Sequence, residues 1–327
     1  MKMKQYLLTF LLALFTVFTL AACGGADEVQ EPAETQTETE GTEETTGESF
    51  PITITDGVEN EVTIEAKPEK IVSLIPSNTE IVYALDMGDA LVGVSDFDNY
   101  PEEVATKEKI GGMEFNVEKV ISLQPDLVLA HGSSAFSSES GLEQLRNAGI
   151  TVVVVPDATS FEATYESIHL IGKLTGTSVK AEEIVEDMKT RLAEIKEKAS
   201  EVTEPATVWV EVSGPPEIYT TGKGTFMHEM IEAINAKNAA GEQEGWVMLT
   251  EEEIVALNPD VVVTTYGSFD PNAKANVLAR EAWTEVPAIQ NERVYDIQSD
   301  LVSRPGPRLI EGVEELAKAV YPEVFTE

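Results

Sequence analysis

Residues 178–201 read SVKAEEIVEDMKTRLAEIKEKASE. Ala181, Ile184, Met188, Leu192, Ile195 and Ala199 recur there at steps of three and four, one apolar stripe on a long amphipathic helix. Lysines, arginine and acids fill the other face. Gly176 stops whatever precedes it, Ser178 is suited to cap the start, and Pro205 bars continuation. A helix of that length spans roughly 36 Å, about the width of a small domain. It is long enough to be a spar between two bodies.

The flanking chain supports that reading. Residues 118–129 read EKVISLQPDLVL and residues 252–263 read EEIVALNPDVVV. Glu118/Glu252, Leu123/Leu257, Pro125/Pro259, Asp126/Asp260 and Val128/Val262 are identical, and every other pair but Lys119/Glu253 is conservative. Each copy predicts a short helix, a Pro-Asp turn and a buried strand. Asn116 and Thr250 stand where each helix needs a cap, and Thr250 with Glu253 has capping-box spacing. Two similar α/β halves are therefore expected, one on each side of the spar.

At the start of the chain, Lys2 and Lys4 precede an apolar run over 6–20, then Leu20-Ala-Ala-Cys23. A basic segment, an apolar stretch and a small-residue cleavage site make a secretory leader. The stretch resembles the bacterial lipoprotein signal, which implies that Cys23 is lipidated, becomes the new amino terminus and holds the protein on the outer face of the cell membrane. Cys23 is the only cysteine, so no disulfide is available to the exported fold. Residues 24–49 carry nine acids and no Lys or Arg, the composition of a tether that cannot bury a core. As a flexible chain it reaches about 30 Å.

The formal charge is −37, and removing a leader that contains two lysines takes it to −39. Such a charge argues against nucleic acid and against direct adhesion to anionic headgroups. It suits a cationic partner surface, and it equally suits simple solubility or a saline habitat.

The expected organisation is a leader over 1–22, the lipidated cysteine and tether over 23–49, an α/β lobe over 50–177, the linking helix over 178–201 and a second α/β lobe over 202–327. A hairpin is expected around Asp56-Gly57. Strands are expected at 71–75, 91–95, 127–130, 151–155, 206–212, 260–265 and 293–297, with helices between them. Ser77 and Glu80 are spaced as a capping box for a helix over 79–87. The β-branched run 151–155 suits a central strand, and 300–308 is expected as a Pro/Gly-rich loop before a closing helix over 309–320. Such alternation predicts largely parallel sheets covered by helices on both faces.

Residues 71–80 (IVSLIPSNTE), 91–94 (LVGV), Tyr100-Pro101, 110–112 (IGG), both Glu…Pro-Asp repeats, 221–226 (TGKGTF), Gly245-Trp246 and 304–308 (RPGPR) carry a family resemblance. The chain resembles the bacterial solute-binding lipoproteins that feed ABC importers of vitamin B12, iron-siderophores and haem, across nearly all of 70–320. The resemblance implies two Rossmann-like lobes on one helix, a ligand cleft between them, and modest opening because a continuous helix resists bending. It implies capture of a metal chelate, a corrinoid first, with an iron-siderophore or haem as alternatives. It also implies delivery to a dimeric ABC permease with its ATPase, with no catalysis and no resident cofactor.

Resemblance to the B12-binding branch puts ligand aromatics at Phe97, Tyr219 and Trp246, and an acid and an arginine at Asp300 and Arg304. At His131 that branch can carry an aromatic, so this chain departs there. Each aromatic is also placed to pack locally, and Arg304 to pair with Asp300. With Met113, His131 is a candidate iron ligand for haem, although methionine commonly just fills gaps. His169, within a predicted helix, suits a structural role, and no cluster suits zinc. Glu118 and Glu252, one per lobe and two residues after each cap, are expected to meet arginines of the permease. The macrodipole alone also favours an acid there. No G-x-S-x-G, Walker or H-E-x-x-H motif supports an enzyme.

Overall fold

The computed structural model describes residues 48–325. The leader, Cys23 and most of the acidic tether expected from the sequence lie outside the described residues.

Strict alternation of buried side chains builds the first lobe. In the strand Leu127–His131, Leu127 and Leu129 join the core on one face of the sheet, while Val128 and Ala130 join the core on the other. Thr151–Val155 divides its valines in the same way. Helices cover both faces, so neither face is polar. The sheet runs Glu108–Lys109, Leu91–Val94, Ile71–Ser73, Leu127–His131, Thr151–Val155, all parallel.

The second lobe repeats the plan with Lys237–Asn238, Thr207–Glu211, Val261–Thr264 and Val294–Asp296, again all parallel. A short antiparallel pair, Tyr219–Thr221 with Trp246–Met248, stands beside it. No strand is expected there from the sequence, because three residues are too few to show a period.

The linking helix runs Ser178–Ala199. Its buried positions are Ala181, Val185, Met188, Leu192, Ile195 and Ala199. The stripe therefore passes through Val185, and Ile184 is only half-buried. Alternating steps of four and three keep one seam facing the lobes, and Ile184 falls off that seam. Most of these residues lie in one continuous apolar core that also holds Ile71 and Leu129 of the first lobe and Val208 and Val261 of the second. The spar is thus cemented to both bodies. Ser178 does not cap it: Thr177 occupies the cap, and the Ser178 hydroxyl donates to Glu48 at 2.8 Å.

Two further expectations change. Thr151–Val155 is an edge strand, not a central one. The hairpin Ile52–Thr55 with Glu61–Ile64 closes that edge: the Gly57 amide donates to the Val154 carbonyl at 2.7 Å, and the Val154 amide donates to the Asp56 carboxylate at 3.3 Å. A Cβ on Gly57 would stand 2.9 Å from Pro156 and Val154 backbone atoms, so only glycine allows the approach. Residues expected as a loop after Asp300 include a short helix, Ser299–Ser303.

Candidate functional site

Parallel strands of both lobes end at a cleft of about 460 Å³, within the range of small-molecule sites. Phe97 follows Leu91–Val94, His131 ends Leu127–His131, Trp246 opens its short strand, and Phe269 follows Val261–Thr264; all four line the cleft with Asp300 and Arg304. Phe97 is 51% exposed, Trp246 52% and Phe269 86%, so aromatic surface is presented rather than packed away. A larger cavity, about 920 Å³, lies along the linking helix beside Tyr83 and Met188, away from these side chains.

Polar groups at the cleft are tied across the lobes. Arg304 donates to Glu80 at 2.8 Å, to the Asn99 side-chain oxygen at 2.8 Å and to the Phe97 carbonyl at 3.2 Å, all in the first lobe. It pairs within its own segment with Asp300 at 2.9 Å, and Asp300 in turn accepts from Asn99 at 2.9 Å. Arg308 grips Glu80 through two nitrogens at 2.8 and 2.7 Å and lies 3.8 Å over the Tyr100 ring. Burial opposes the charge on Arg308, yet its hydrogen bonds to Glu80 and the charge of that carboxylate outweigh burial and hold the guanidinium more firmly protonated.

Glu80 therefore does not close a capping box with Ser77. The helix runs Pro76–Ala84, its cap is Ile75, and no side chain caps it. That start puts Ser77 at the second helical position and Glu80 at the fifth, out of capping-box register, and two arginines more than two hundred residues away hold the carboxylate. Glu80, Asn99 and Arg308 do not line the cleft but build the link between the lobes beside it, and they were invisible in the sequence because their partners are distant along the chain. Phe269 had a signal: it stands in the loop after a repeat strand, as Phe136 does in the first lobe.

Two of the sequence candidates stand elsewhere. Tyr219 does not line the cleft and faces Met248 across its strand pair. Met113 is 73% exposed and also outside the lining. His131 is buried, its Nδ1 2.9 Å from the Ser133 hydroxyl and accepting the Ser133 amide at 3.2 Å. Burial pushes its pKa below the usual value, opposed by Asp157. Among the described residues no group of three or more His, Cys, Asp or Glu gathers as a metal site.

Away from the cleft, the two repeats match in helix bounds, caps and turns. Val117–Leu123 and Glu251–Leu257 are capped by Asn116 and Thr250, and both end on a residue at φ 52°, ψ 56°: Gln124 and Asn258. Asp126 accepts the amides of Glu69 and Lys70, and Asp260 that of Thr207, so each turn pins the start of a neighbouring strand. Glu118 and Glu252 are both exposed on the first turn. Glu253 closes the capping box and Glu251 accepts the Trp283 indole, which leaves Glu252 as the matched acid.

Comparison with known proteins agrees with this geometry. A family model described as periplasmic binding protein matches residues 71–301. An uncharacterized ABC transporter substrate-binding lipoprotein of Bacillus subtilis is 52% identical, covering 96% of both chains. A cobalamin-binding protein of Halobacterium salinarum is 31% identical, over 84% of this chain and 75% of its own. The crystal structure of a possible iron-binding (periplasmic solute-binding) protein from Staphylococcus epidermidis matches with a TM-score of 0.72 at 38% identity, covering 78% of this chain and all of that one.

Proposed function

The chain belongs to the periplasmic binding protein family, as a substrate-binding protein of an ABC transporter, and from that premise we propose that it captures a corrinoid of the vitamin B12 class and hands it to an ABC importer. The observation that carries this reading is the cleft itself. Exposed Phe97, Trp246 and Phe269 line the same cleft as the Asp300–Arg304 pair. Flat aromatic faces suit a macrocycle, and an acid beside an arginine suits a fringe of amides. The 31% identity to a cobalamin-binding protein supports the same ligand. A second reading, a ferric siderophore or haem, is favoured by the likeness to the possible iron-binding protein. Titrating cobalamin, ferric siderophores and haem against the fluorescence of exposed Trp246 separates the two. Cobalamin is expected to give a saturable quench, and tight ferric-siderophore binding with no response to cobalamin would reverse the ranking.

Delivery follows from the matched acids. Glu118 and Glu252 offer equivalent charges on equivalent helices, one per lobe, for arginines on the two subunits of a permease. Replacing both with alanine is expected to cut uptake while chelate affinity stays as in the parent; unchanged uptake would refute the docking role. Anchoring is assigned to a lipid on Cys23, and no described helix is long and apolar enough to cross a membrane. Cell fractionation of Cys23→Ser tests the anchor, since the variant should leave the membrane fraction.

A further inference from the structure

The helix Pro76–Ala84 begins at the cleft wall, where Ile75, Pro76 and Ser77 are all lining residues. Its first turn is short of acceptors. Ile75 has no side-chain oxygen, Pro76 has no N–H, and Glu80 is committed to Arg304 and Arg308. The amides of Ser77 and Asn78 thus have neither an intrahelical acceptor nor a capping side chain. The Ser77 hydroxyl is also without a partner, although the residue is only 3% exposed. Buried donors of this kind are rarely left unmet in a folded protein. The positive end of the helix dipole adds to their preference for a negative oxygen.

We propose that this uncapped turn, with the Ser77 hydroxyl, is the subsite for an acidic oxygen of the ligand, a carboxylate or a phosphodiester. The inference rests on the chelate-binding reading and deepens it, since it requires the cargo to carry an anionic oxygen on the side that meets the first lobe. The helix starts ahead of Ser77, so Ser77 lies at its second position and not at its cap, and the turn that faces the cleft is left without a side-chain acceptor. A neutral hydroxyl donating to a charged acceptor makes the contact strong enough to measure.

Two ligand pairs supply the test, each differing at the acidic oxygen: cobalamin against cobinamide, which lacks the phosphodiester arm, and haem against its dimethyl ester. Affinities are measured for the parent and for Ser77→Ala. The variant is expected to lose about tenfold for the acidic member of whichever pair binds, and less than about twofold for its partner. The pair that responds also tells a phosphodiester from a carboxylate. Because the hydroxyl has no protein partner, Ser77→Ala should leave the melting temperature of the ligand-free protein unchanged or raise it. Equal losses within a pair, or no loss in a parent that binds tightly, would overturn the subsite and leave the chelate reading standing. A parent that binds no member of either pair and no ferric siderophore would overturn both.

Discussion

Two buried glutamates hold arginines in this protein, and they do different jobs. Glu211 ends the strand Thr207–Glu211 with no exposure. Arg280 meets it through two nitrogens at 2.8 and 2.6 Å, Tyr266 donates its hydroxyl at 2.6 Å, and the Trp209 indole donates at 3.3 Å. All four residues belong to the second lobe, and Arg280 also lies over the Trp283 ring at 4.6 Å. Glu80 is nearly as buried, at 4% exposure, but both of its arginines come from the other lobe. One carboxylate organises the interior of a lobe; the other joins two lobes at the edge of the ligand cleft. Equal burial and equal chemistry thus give a structural staple in one place and a link that opening must stretch in the other.

Removing Glu211 should have the largest effect. Glu211→Ala leaves the Arg280 charge buried, with the Tyr266 hydroxyl and Trp209 indole unpaired. Breaking one partner out of a buried ion pair costs about 3–5 kcal/mol. Thermal or denaturant unfolding should register a loss of that size, while chelate affinity of the molecules that remain folded stays unchanged. If affinity fell and stability did not, the cluster would belong to the site and the contrast with Glu80 would collapse.

Glu80→Gln should come second. The amide keeps the shape but loses the charge, and its NH₂ turns a donor toward a guanidinium. A loss of about 1–3 kcal/mol is expected. The diagnostic readout is separate from stability. Distances between spin labels on the two lobes should broaden in the ligand-free Glu80→Gln protein and remain narrow in Glu211→Ala. Identical distance distributions in the two variants would mean that Glu80 is also only a staple.

The contrast also marks where sequence reasoning reached and where it stopped. Both repeats, their caps, the Pro-Asp turns and the linking helix were legible, because each is written within about a dozen residues by period, cap and turn chemistry. Thr250 and Glu253 form the capping box their spacing predicts. Ser77 and Glu80 have the same spacing and do not, because the helix starts ahead of Ser77, at Pro76, and Arg304 and Arg308 hold the carboxylate from across the chain. Local propensity is a weak prior wherever a distant charge competes for the same group. Likewise Thr151–Val155 is as apolar as a central strand, and only the hairpin that seals its edge explains how an edge position tolerates that composition. Phe97 and Trp246 were indicated by the family resemblance, while Asn99 had no pattern of its own to announce that it bonds both Asp300 and Arg304.

Asn99 supplies the finest test, because it separates the buried half of the interlobe link from the exposed half. Arg308 and Glu80 are enclosed, whereas the bonds of Asn99 to Asp300 and Arg304 lie on the exposed rim. If the ligand uses Asp300 and Arg304, as proposed, Asn99 competes with it for the same donors and acceptors. A competitor that holds those groups in the ligand-free protein lowers the competent fraction, and apparent affinity falls with that fraction. Asn99→Ala should therefore bind the chelate more tightly, by about two- to fivefold, since one exposed hydrogen-bonded contact contributes about 0.5–1.5 kcal/mol at most. Stability of the ligand-free protein should fall by the matching amount, about 0.4–1 kcal/mol, because the bonds removed are those that favour the ligand-free state. Tighter binding is the unusual direction for an alanine replacement beside a ligand site. Titrating parent and variant with the same chelate decides the matter: weaker binding would make Asn99 a direct ligand contact, and the rim bonds would then be part of the site and not its competitor.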